Sequence, residues 1–98
     1  MDNEKLKPII EALLSATDKP LAINSIFDIF TGDIDQPGKD DIRQAIHELM
    51  EQYQGSGIEL KQVASGFRFQ IKPAYETWVA RLWDQKPPRY SRALMETI

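Results

Sequence analysis

Ile58-Glu-Leu-Lys-Gln-Val63, then Ala64-Ser-Gly66, then Phe67-Arg-Phe-Gln-Ile71 is the stretch that decides the fold. Two β-rich runs flank a short turn that contains a glycine, the pattern of an antiparallel hairpin. In the second run Phe67, Phe69 and Ile71 alternate with Arg68, Gln70 and Lys72, so one face is apolar and the other wet. Pro73 closes that run, and Gly55-Ser-Gly57 frees the backbone ahead of the first.

Upstream, the apolar period changes from two to about 3.6. Leu6, Ile9, Ile10, Leu13 and Leu14 form one helical stripe. Pro8 removes a backbone donor, which sets the start of this helix near Lys7, with its end at Thr17-Asp-Lys-Pro20. Pro20-Leu-Ala-Ile23 reads as a short extended segment. Asn24 is a good N-cap for a brief helix holding Ile26, Phe27, Ile29 and Phe30. A turn-rich loop with Gly32, Asp33, Asp35, Pro37 and Gly38 follows. The clearest helix is next, with Ile42, Ala45, Ile46, Leu49, Met50 and Tyr53 on one stripe and Asp40 and Asp41 at its electropositive start. Helix, short strand, helix, helix, two-stranded wing is the order of a winged helix, an α+β fold.

Beyond the wing, Tyr75, Trp78, Val79, Leu82 and Trp83 repeat the helical spacing and predict a C-terminal helix. Asp84-Gln-Lys-Pro-Pro88 reads as a stiff linker. Ser91-Arg-Ala-Leu-Met-Glu-Thr-Ile98 reads as a helix start too short to stand alone. The expected organisation is a winged-helix domain over 1–84, then a linker and the truncated start of a second winged-helix domain over 85–98.

With 98 residues, 42% of them hydrophobic, the chain supports one small core. Such a domain buries only roughly 60–65% of its unfolded surface, so a partner would add stability. There is no cysteine, which excludes disulfides, thiolate metal sites and cysteine nucleophiles. The charged N-terminus lacks the apolar run of a signal peptide, and no stretch reaches the ~20 apolar residues of a membrane span. A soluble, cytoplasmic protein is expected. Net charge is −3 and the pI about 5.1, against a pI above about 9 for many duplex-binding domains.

Several segments, taken in order, resemble one family. They are Ile9-Ile-Glu-Ala-Leu-Leu14, Lys19-Pro-Leu21, Gly57-Ile-Glu-Leu60, Ala64-Ser-Gly-Phe-Arg68 and Arg89-Tyr-Ser-Arg-Ala-Leu-Met-Glu-Thr97. The chain resembles the segregation and condensation protein B family, accessory subunits of the bacterial condensin built on structural-maintenance-of-chromosomes ATPases. The resemblance covers nearly all of the chain but only the first of the family's two winged-helix domains. It implies a non-enzymatic adaptor that forms homodimers and clasps the kleisin subunit bridging the ATPase heads, reaching the nucleoid through that complex. It implies no cofactor and no membrane. The alternative reading is a dimeric winged-helix DNA-binding transcription regulator.

Charge separates the two readings. The outward residues of the 39–53 helix are Lys39, Asp40, Asp41, Arg43, Gln44, His47, Glu48, Glu51 and Gln52, two basic and four acidic. Phosphate attraction supplies most non-specific DNA affinity, and this face opposes it. Direct DNA binding is therefore expected to be weak or absent. The basic residues that remain are Arg81, Lys86, Arg89 and Arg92, interleaved with Trp78, Trp83 and Tyr90. Such a cluster suits nucleic acid or a protein contact. The plainer reading is a solvated linker with Trp78 and Trp83 partly in the core. Arg68 and Lys72 add to this basic surface.

Asp33, Asp35 and Gly38 match three positions of a calcium loop, but Gln44 stands where a bidentate carboxylate is needed, so a polar turn is expected. His47 is the single histidine, and no serine sits in a nucleophile elbow. No metal site and no catalytic residue are assigned. The second helix carries more apolar residues than so short an element can bury. Phe27 or Phe30 is therefore expected near the surface, helping to form the homodimer. Phe27, Phe30, Trp83 and Tyr90 are the expected protein-interface residues.

Overall fold

The computed structural model describes residues 1–84. Helix α1 is Asn3–Ala16, α2 Ile23–Ile29, α3 Lys39–Gln52, and the wing is β1 Ile58–Val63 with β2 Gly66–Ile71. A 3-10 turn, Pro73–Tyr75, leads into α4, Glu76–Asp84. The expected linker and second-domain start over 85–98 lie outside the described residues.

Helix α1 begins four residues earlier than Pro8 suggested. The Asp2 carboxylate accepts from the Lys5 N–H at 3.0 Å and caps the helix ahead of the proline. Pro8 then lies inside the helix, on an exposed position, where its missing N–H forfeits one bond to Glu4. The early start places Leu6 in the core beside Ile10 and Leu14, and this burial offsets the lost bond. Helix α2 is capped by Ala22 and not by Asn24, whose side chain stands exposed within the first turn. Helix α3 starts after Gly38, whose N–H donates to Asp41 Oδ2 at 2.9 Å.

The core is one cluster. Leu6, Ile10 and Leu14 of α1 meet Ile26 of α2 and Phe30 at its C-cap, four residues of α3 (Ile42, Ala45, Ile46, Leu49), and Leu60 and Phe67 of the wing. Packing is mainly of α1 and α2 on α3. The wing pairs Leu60 with Phe69 and Gln62 with Phe67 on its core side, and Glu59 with Gln70 and Lys61 with Arg68 on its outer side. The short segment before α2 reduces to one bridge, in which Leu21 and Phe67 pair antiparallel. That bridge fastens the helical half to β2.

Tyr53, at the end of α3, joins three elements. Its ring meets Phe69 edge-on at 5.0 Å, and its hydroxyl donates to Glu11 Oε2 of α1.

Candidate functional site

The two surfaces singled out by the sequence are the outward face of α3 and the aromatic, basic C-terminal region. On α3 the two cations are already engaged. Arg43 Nη1 donates to Asp40 Oδ1 at 2.7 Å, and Lys39 Nζ sits 5.2 Å from the centre of the Phe27 ring. Glu48 accepts from Asn3 Nδ2 at 2.7 Å and Gln44 Nε2 at 3.1 Å, and pairs with Lys7 Nζ at 3.2 Å. Those bonds, Gln44 first, hold its carboxyl below the ordinary glutamate range. Asp41 and Glu51 remain exposed. The surface a winged helix would offer to a DNA groove is therefore anionic and locked by hydrogen bonds.

The wing holds a feature missed from the sequence. Register places Lys61 directly opposite Arg68 on the outer face, two like charges about 5 Å apart at Cβ. Arg68 Nε is buried without a hydrogen-bond partner among the described residues. Lys72 is not free to extend this patch, since its Nζ donates to the Gln54 carbonyl at 2.5 Å. Period-two alternation put Arg68 on the wet face, but only the pairing register reveals its neighbour.

The expected interface residues separate. Phe30 is 3% exposed and belongs to the core, so it offers no surface. With Ile23, Ile26 and Phe27 it follows the i, i+3, i+4, i+7 spacing, so all four turn inward from one side of α2. Phe27 is only partly buried, and the exposed apolar residue of this helix is Ile29, at 52%. Trp83 is exposed on α4, and Arg81 lies there too, its guanidinium 4.6 Å from the centre of the Trp78 ring. Trp78 and Trp83 are not partly in the core. No α4 residue is buried, and its main packing within the described residues is against the preceding 3-10 turn. Tyr90, Lys86, Arg89 and Arg92 lie outside the described residues.

Asp35 pairs with the Met1 ammonium at 2.5 Å, and no group of three or more His, Cys, Asp or Glu able to hold a metal occurs among the described residues. His47 is exposed on α3. An open groove between Ala22–Asn24 and the wing turn, touching Val63, Ser65 and Gly66, is lined by no charged side chain. No described helix is long and apolar enough to cross a membrane.

Three packed helices, a wing tied back by Leu21, and an acidic third helix define a winged-helix domain whose usual DNA-reading face is closed to phosphate. The same organisation appears among known proteins. The chain belongs to the family of the segregation and condensation complex subunit ScpB, whose pattern it matches over residues 8–98. It is 43% identical over 93 residues to the segregation and condensation protein B homolog of Coxiella burnetii, covering 94% of this chain and 44% of that one. It is 34% identical to segregation and condensation protein B of Syntrophotalea carbinolica, covering 100% of this chain and 48% of that protein. The chain thus spans less than half the length of these relatives.

Among solved structures, ScpB from Mycobacterium tuberculosis superposes with a TM-score of 0.75 at 24% identity, covering 98% of this chain and 59% of that one. A dimer of the ScpB N-terminal domain complexed with ScpA peptide superposes with a TM-score of 0.69 at 23% identity, covering 81% of this chain and 95% of that one. At these identities the likeness establishes the winged-helix fold.

Proposed function

We propose that this chain is the dimerising winged-helix domain of a non-enzymatic adaptor in the bacterial structural-maintenance-of-chromosomes complex. It acts through protein contacts, with a second copy and with the kleisin subunit, in chromosome condensation and segregation. The observation that carries the reading is the α3 face, where Arg43 is bonded to Asp40 and Lys39 is held over Phe27, leaving the groove-facing surface anionic. A winged helix without a phosphate-attracting face keeps its packing surfaces for other proteins. Family membership, and a fold neighbour solved as a dimer with an ScpA peptide, support the same reading. Residues 85–98 would lead into a second winged-helix domain, and the protein would work in the cytoplasm, at the nucleoid through its complex.

Fluorescence anisotropy tests it against the DNA-binding regulator. Labelled duplex DNA and a labelled kleisin segment are titrated separately, at about 50 and about 200 mM salt. Saturable kleisin binding with no DNA binding at either salt is expected. Tight DNA binding that collapses at the higher salt would overturn the adaptor reading.

A further inference from the structure

We propose that the exposed face of α4 is the surface through which two copies of this chain pair, with Trp78 and Leu82 of one copy packed against the same residues of the other. The proposal rests on the homodimer put forward above and assigns it a place. Helix α4 has nine residues and buries none. So short a helix is not stable in water by itself, and helices of this size persist when their apolar face is covered. Tyr75, Trp78 and Leu82 are 44%, 60% and 63% exposed. A spacing of four joins Trp78 and Leu82 into one strip, Tyr75 extends it from the 3-10 turn three residues ahead, and Trp83 borders it, also exposed. The Arg81 guanidinium over the Trp78 ring restricts that side chain's rotamers, so less freedom is lost when the face is covered.

A second copy fits this face better than a peptide does. Recognition of an extended or helical segment needs a groove or an open sheet edge. Helix α4 is neither, since every one of its residues except Val79 is exposed and its main packing among the described residues is against the preceding 3-10 turn. An exposed apolar ridge pairs with another ridge, and a two-fold axis supplies the identical patch on both sides. Two-fold pairing also brings central charges against their own kind, and the strip carries none; Glu76 and Arg81 flank it. The three aromatics together with Leu82 present roughly 400 Å² of apolar area. That is about half of the ~800 Å² that one side of a standard interface buries, with the polar rim of α4 to supply the rest. Tryptophan, tyrosine and arginine are also the residue types that dominate interface energetics.

The chain's two tryptophans both lie on α4, so tryptophan emission, excited selectively over the tyrosines, reads this helix alone. The test is sedimentation and tryptophan emission of the whole 98-residue chain over a dilution series, for the native sequence and for Leu82→Asp, Trp78→Ala and Phe27→Asp. The expected result is a mass of twice 11.3 kDa that halves over the same concentrations at which emission shifts to the red. Leu82→Asp and Trp78→Ala should each weaken the dimer about tenfold or more. Their thermal midpoints, read in the monomer, should stay unchanged, because α4 gives nothing to the core. A dimer intact in both α4 variants, or one lost only in Phe27→Asp, overturns the assignment to α4 while leaving the homodimer standing. A native chain that is monomeric throughout overturns the homodimer itself. A monomer whose emission shifts to the blue only on adding a kleisin segment overturns the second copy as the occupant of this face. The native dilution series needs no variant, so a misfolded variant leaves the test intact.

Discussion

Leu21 and Phe67 exchange both of their backbone hydrogen bonds, each at 2.9 Å, across 46 positions of chain. This single bridge draws Leu21 against the turn of the wing. A Cβ placed on the neighbouring Gly66 would lie 2.4 Å from the Leu21 carbonyl carbon, and Gly66 has φ of +144°. Only glycine meets both conditions. Gly66→Ala should therefore destabilise the domain by about 2–3 kcal/mol, combining backbone strain with a displaced bridge. Urea unfolding reads this directly, and a midpoint unmoved by the substitution would show that the wing tolerates a different closure.

The end of α2 predicts unequal costs for two adjacent residues, Ile29 in its last turn and Phe30 at its C-cap. Phe30→Ala removes a ring that is 3% exposed and should cost about 3–5 kcal/mol. Ile29→Ser, at a position 52% exposed, should cost less than about 0.5 kcal/mol. Parallel thermal melts of the two variants check the ordering.

Glu48 gives stability a pH dependence of known sign. Its hydrogen bonds, led by the one from Gln44, hold the folded-state carboxyl below the ordinary range. The unfolded chain then binds that proton more readily than the folded one. The contribution is complete above the ordinary glutamate value of about 4.3 and is lost as pH falls through the depressed folded value. Glu48→Gln should flatten this acid limb in melts taken between neutral pH and about pH 3. At the alkaline end the sign reverses for Tyr53, whose phenol is raised by the bond to Glu11 and by burial. Its contribution is whole below the ordinary tyrosine value of about 10 and fades as pH rises through the raised one.

Lys61 facing Arg68 across the wing is an unfavourable like-charge pair. Lys61→Glu should stabilise the domain by about 0.2–1 kcal/mol, with the gain shrinking as salt screens it. A loss of stability would mean that the two cations are already compensated in the folded domain.

The wing and α3 were legible because their periods differ cleanly, two in Phe67, Phe69 and Ile71 and about 3.6 from Ile42 to Leu49. The start of α1 was misplaced by giving Pro8 more weight than the cap at Asp2, although both lie in plain view in the sequence. The inward stripe of α2 was also legible, since Ile23, Ile26, Phe27 and Phe30 follow helical spacing; the shortness of the segment hid it. The exposure of Trp78 and Leu82 was not legible on any reading. An apolar stripe has the same period whether it covers its own core or awaits another surface, and only three-dimensional packing separates the two. The Lys61–Arg68 contact had the same limit, because register is a property of two strands together.

Helix α4 carries a further implication for how this family can diverge. Because the helix places nothing in the core, substitutions along it are close to neutral for folding, while each one alters what the outer surface can recognise. On the pairing proposed above, selection can therefore retune its strength here without first finding a compensating change in the interior. Lineages could drift apart in whom they bind while conserving the same helices and wing, and a hybrid made by exchanging only the 76–84 segment would be expected to inherit the donor's preference on the recipient's scaffold.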